Sequence, residues 1–205
     1  MTLTAGVVAV QGDVSEHGRA IRRAGETDGH EVEVVEIRQS GIVPECDLLL
    51  LPGGESTAIS RLAHREGIAA EIRDHVAEGR PVLATCAGLI LLSQDSGDER
   101  VETIDLLDVA VERNAFGRQR DSFEAPLSVR GLEEPFPAVF IRAPVIDSVG
   151  DGVEVLAEWD DRPVAVRQGS IVGTAFHPEL RADPRIHDLA FFETGRAVTG
   201  DGQGR

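Results

Sequence analysis

Residues 81–92 read Pro81-Val82-Leu83-Ala84-Thr85-Cys86-Ala87-Gly88-Leu89-Ile90-Leu91-Leu92. The apolar run Pro81–Ala84 reads as a short buried strand, and Leu89–Leu92 as the start of a buried helix. Thr85-Cys86-Ala87-Gly88 joins them with small residues. A cysteine where a strand turns directly into a helix has the geometry of a nucleophile elbow, held out above the C-terminal edge of a sheet. The positive end of the helix favours thiolate there. A buried structural cysteine fits this segment equally well.

The same alternation extends upstream. Gly6–Val10 predicts a first parallel strand that stops at Gln11-Gly12-Asp13, and a helical pattern with Val14, Ile21 and Ala24 on one side follows. Strands are predicted over Glu31–Ile37 and Cys46–Leu51. The latter ends in Pro52-Gly53-Gly54-Glu55-Ser56-Thr57, where Ser56 or Thr57 can cap a helix carrying Ile59, Leu62, Ile68, Ile72 and Val76, broken near Gly67. Strand–helix repetition of this kind argues for a parallel sheet covered on both faces. Beyond residue 100, strands and turns dominate: Leu106–Glu112, Ser122–Val129, Ala138–Arg142, Val153–Glu158, Val164–Arg167 and Ser170–Ala175, with Asp160-Asp161 and Gln168-Gly169 as hairpin turns. A last helix is predicted from Pro184. The expected fold is α/β, a three-layer, flavodoxin-like sandwich with a mostly parallel central sheet and additional antiparallel strands. It forms one domain over 1–198, with a disordered tail over 199–205.

His177-Pro178-Glu179 follows the last strand. On an extended segment, residues two apart share a side. Glu179 can then hold one nitrogen of His177 while the other faces Cys86, the arrangement a cysteine nucleophile needs. Packing for His177 and a solvated Glu179 is the alternative, preferred if Cys86 were absent. Adjacent glycines at 53 and 54 let backbone N–H groups approach a ligand closely. With the N–H of Ala87, that of Gly53 or Gly54 can form an oxyanion hole. His17, His30, His64, His75 and His187 read as surface or packing residues, and no metal-ligand cluster is evident.

Composition narrows the function classes. The formal net charge is -16, with 36 acidic residues against 20 arginines and no lysine. Such a chain should be repelled by nucleic acid and by anionic membranes. GC-rich coding alone would favour arginine over lysine; the acidic excess also suits a halophile's cytoplasm, where salt screens self-repulsion. No apolar stretch nears the roughly 18–20 residues a membrane span needs, and the start lacks signal-peptide features. A soluble cytoplasmic protein is expected.

Together, PGGES at 52–56, TCAG at 85–88 and FHPE at 176–179 resemble the triad class of glutamine amidotransferases. Five further segments narrow the resemblance. They are Ala9–Asp13 with Glu16-His17, Leu51–Thr57, Val111–Gln119, Asp121–Glu124 and Phe140–Pro144. From about Gly6 to Glu193 the chain is similar to the glutaminase subunits of pyridoxal 5′-phosphate synthase. ERNAFGRQ and FIRAP are the distinguishing segments.

The resemblance implies a Cys86, His177, Glu179 triad that hydrolyses L-glutamine to glutamate and ammonia without a cofactor. It further implies a barrel-shaped synthase subunit that receives the ammonia in a hetero-oligomer. Glutamine-binding positions map to Gly54, Glu55, Ser56, Arg113, Ile141 and Arg142. Arg113 or Arg142 suits the substrate carboxylate, because arginine offers a planar fork of donors. Gln11, on a loop that faces the synthase in the family, is a candidate for coupling activation to docking. Two departures stand out: Ala84 where the family usually has glycine, and a longer stretch at 25–29, read as a surface-loop insertion. The rival readings are the glutaminase of another pathway, such as imidazole glycerol phosphate synthase, a binding or regulatory relative without catalysis, and a thiol-sensing or peptidase-like relative.

Overall fold

The computed structural model describes residues 1–11, 14–112 and 122–192. Arg113, most of the ERNAFGRQ segment, Gly12, Asp13 and the tail lie outside them.

Short apolar strands build the centre. β1 (Thr2–Val8), β2 (Glu31–Ile37), β3 (Leu48–Leu51) and β4 (Val82–Thr85) share one sheet with the later β10 (Glu154–Trp159), β11 (Arg162–Gln168) and β12 (Ile171–Thr174). The strand order is β10-β11-β12-β4-β3-β1-β2. The five strands from β12 to β2 run parallel, and β11 and β10 add on antiparallel. Every residue of β3 and β4 is buried. Both faces of these strands are therefore covered, as all-parallel pairing requires. Helix α1 (Ser15–Thr27) packs with α5 (Arg185–Phe191), while α2 (Ser56–Arg65) packs with α3 (Ile68–Ala77) and α4 (Ala87–Leu92). A three-stranded sheet of β5 (Ser93–Asp95), β6 (Leu107–Glu112) and β9 (Val145–Val149), and a hairpin of β7 (Ser122–Leu127) and β8 (Phe136–Ile141), complete the chain.

Several local expectations are corrected. β1 begins at Thr2 and ends before Ala9, because pairing with β2 from Thr2↔Glu31 onward, which apolarity alone does not report, sets its length. β5 and β9 were not foreseen. The cap of α2 is Glu55, whose carboxylate accepts from the N–H groups of Thr57 and Ala58; neither Ser56 nor Thr57 caps it. Of residues 25–29, expected as a surface loop, 25–27 are helical and only 28–29 form a turn. Helix α1 continues to Thr27, and Gly25 lies buried where a Cβ would come within 2.4 Å of Val32 Cγ2. The glycine there serves close packing of α1 on β2. Asp160 and Asp161 both adopt positive φ (54° and 58°) between β10 and β11, as a two-residue hairpin turn demands. The following turn is Gly169-Ser170, one residue later than expected, since Gln168 pairs with Ile171. Among the described residues, no helix is long and apolar enough to cross a membrane.

Candidate active site

Cys86 stands between the last residue of β4 and the first of α4, with φ 49° and ψ -104°. A side-chain-bearing residue in this sparsely populated region stores strain, and such outliers cluster at functional sites. Ala84 sits in β4 between Leu51 of β3 and Gly173 of β12. The positive φ falls at Cys86 and not there. The tight turn is possible because Gly88 lets α4 press against β3: a Cβ at Gly88 would lie 2.1 Å from the Leu51 carbonyl oxygen. Cys46 differs in kind. It is buried, donates to the Ile42 carbonyl, and burial, aided by Asp47, pushes its thiol up to about 11. It has the character of a structural thiol.

Parallel pairing carries His177 toward Cys86. Thr174 of β12 is level with Thr85 of β4, and the Cys86 N–H donates to the Thr174 carbonyl at 2.8 Å. The His177 N–H donates to Val139 O of β8 at 2.8 Å, which anchors the chain past the strand end. His177 Nδ1 lies 2.7 Å from Glu179 Oε1. The expected pairing exists, but not on an extended segment. Pro178–Leu180 forms a 3-10 turn, with His177 at φ -107° and ψ 86° just before it. That turn folds the carboxylate back onto the ring.

Electrostatics follow from this geometry. Burial opposes the charged form of His177, yet its interactions with Cys86 and Glu179 outweigh it and raise the imidazole to about 10. Burial also opposes ionisation of Glu179, but His17 and His177 hold the carboxyl well below its ordinary range. Gly53 closely approaches the ring: a Cβ there would lie 2.5 Å from His177 Cε1 and 3.4 Å from Cys86 Cβ.

A cavity of about 790 Å³ opens over these groups. Its walls include Gln11, Gly53, Gly54, Glu55, Ser56, Cys86, Ala87, Ile141, Arg142, His177 and Glu179. All the expected site residues that are described thus meet in one place. Gln11 Oε1 accepts from the Glu55 N–H at 2.7 Å, and Gly54 has φ 147° beside it. Ser56 Oγ is buried without a hydrogen-bond partner. Arg142 adopts φ 44°, and Ile141 is exposed at the rim. The cavity also takes in Glu16, Ile90, Pro144 and Leu180, which sequence reasoning had not assigned to the site.

The larger omission is His17. It is fully buried, with Nε2 3.4 Å from Glu179 Oε1 and 3.4 Å from Thr85 Oγ1. It is no surface residue. The available signal was its position in the first turns of a helix leaving the Gln11 loop.

Comparison with known proteins fits this geometry. The model of the SNO glutamine amidotransferase family matches residues 7–194. The chain belongs to the SNO glutamine amidotransferase family. Within this glutamine amidotransferase family, it is 72% identical over 194 residues to "Pyridoxal 5'-phosphate synthase subunit PdxT" of Haloarcula marismortui, covering 95% of this chain and 98% of that protein. It is 70% identical over 202 residues to the protein of the same name from Halobacterium salinarum, covering 98% and 100%. A solved glutamine amidotransferase superposes with a TM-score of 0.80 at 45% identity, over 91% of this chain and 96% of that one. The two named relatives come from halophiles, in keeping with the acidic composition.

Proposed function

We propose that this chain is the glutaminase subunit of a pyridoxal 5′-phosphate synthase, hydrolysing L-glutamine and delivering ammonia to a separate, barrel-shaped synthase subunit. Cys86 Sγ attacks the carboxamide carbon, and the N–H groups of Ala87 and the Gly53-Gly54 turn hold the oxyanion. His177, protonated and oriented by Glu179, gives a proton to the departing nitrogen as the C–N bond breaks, leaving a glutamyl thioester and ammonia. His177 then takes a proton from water, whose oxygen attacks the thioester; glutamate leaves and the thiolate is restored. The substrate carboxylate is received by Arg142 or Arg113, and Glu55 and Ser56 complete the pocket. The buried Ser56 hydroxyl without a protein partner supports this assignment, since buried hydroxyls otherwise find partners.

The observation that carries the reading is the His177–Glu179 contact of 2.7 Å beside a strained cysteine at the strand–helix junction. The names of the 70–72% identical relatives favour the pyridoxal phosphate pathway over other glutaminases. Glutamate release from glutamine in high salt, with and without the synthase subunit, is the test. Release that rises with the synthase and vanishes in Cys86→Ala supports both triad and pathway. Release indifferent to the synthase keeps the glutaminase and removes the pathway.

A further inference from the structure

Behind the triad lies a second buried imidazole that the mechanism above does not use. His17 is 0% exposed, and the only polar side-chain atoms near its Nε2 among the described residues are Glu179 Oε1 and Thr85 Oγ1, each at 3.4 Å. Its Nδ1 has no hydrogen-bond partner. His187 of α5, also 0% exposed, faces it at 6.0 Å between ring centroids and is likewise unpartnered at both nitrogens. Glu179 Oε2 has no partner, so the carboxylate is fixed through Oε1 alone, where His177 Nδ1 and His17 Nε2 converge. A buried carboxylate gripped at one oxygen by one imidazole can swing about that contact; a second donor from the opposite side removes this freedom. The same Nε2 reaches the hydroxyl of Thr85, the residue before the nucleophile.

We infer that His17 is a positioning residue: its Nε2–H holds Glu179 Oε1 against His177 and ties helix α1 to both arms of the triad. Resting on the glutaminase reading, this adds a fourth side chain that acts through Glu179 and never touches substrate. It also fixes the His17 tautomer, since only a protonated Nε2 can donate to the carboxylate.

Two polar variants separate positioning from packing. The glutamine amide in His17→Gln reaches where Nε2 lies; the shorter asparagine amide in His17→Asn stops near Nδ1. With the synthase subunit present, kcat of His17→Asn should fall at least about tenfold, as for a slightly misplaced catalytic group, with KM little changed. His17→Gln should recover most of the loss. In proton NMR of the full chain, the downfield His177 Nδ1–H signal should persist in wild type and His17→Gln and vanish in His17→Asn. Identical behaviour of the two variants, whether both active, both inactive or both unfolded, overturns the inference. Wild-type protein without Cys86-dependent glutamate release instead sinks the glutaminase reading, and the NMR comparison still decides what His17 does.

Discussion

Cys86 places a side chain on a backbone that glycine adopts more easily, at φ 49°. Cys86→Gly should therefore raise unfolding stability by about 1 kcal/mol in denaturant titration, while glutamate release is lost. Cys86→Ala keeps the strain and should lower kcat by more than about 10³-fold. His177 gives a pH prediction. Its pKa is raised from 6.5 to about 10, so the folded state binds the proton more tightly than the unfolded chain. The stabilisation is complete below about 6.5 and is lost as pH rises toward 10. The stability gap between wild type and His177→Gln, from denaturant titrations at several pH values, should shrink across that window. A gap constant with pH would mean that the ion pair adds nothing to folding.

At the scale of elements, the site depends on close approaches. Gly88 is where α4 touches the backbone of β3. Gly88→Ala should cost about 1–3 kcal/mol as an overpacked contact, measured by thermal melting, and should lower activity by displacing Cys86. The elbow, the parallel strands and the glycine turn were legible because each leaves a local mark: an apolar run, small residues, a paired glycine. What escaped was set by partners distant in sequence. β5 and β9 are short and paired across the second sheet, and Glu55 displaced Ser56 as cap because its longer side chain reaches back to two N–H groups. Glu179 met His177 through a 3-10 turn, so the right contact had been expected from the wrong backbone. His17 lies 162 positions from Glu179, and no local pattern reports a contact across that span.

Over the whole molecule, the charge of -16 is carried by a surface with no lysine. Exposed arginine–carboxylate pairs, such as Arg38–Glu36 and Arg130–Glu154, contribute little individually, and many carboxylates remain in excess. At about 1 M salt the screening length falls to ~3 Å, which removes most of the self-repulsion. The melting temperature should therefore rise between about 0.1 M and 2 M KCl; a flat profile would leave the composition without a physical role in salt. β4 is the middle strand of seven, and the Cys86 amide is bonded across to Thr174. That amide can meet solvent deuterium only when its bond to Thr174, at the end of the middle strand, opens. In native-state hydrogen exchange it should sit in the slowest class, released at the free energy of global unfolding. Heat inactivation would then have no early stage of its own: the turn that holds Cys86 is lost only when the whole domain is.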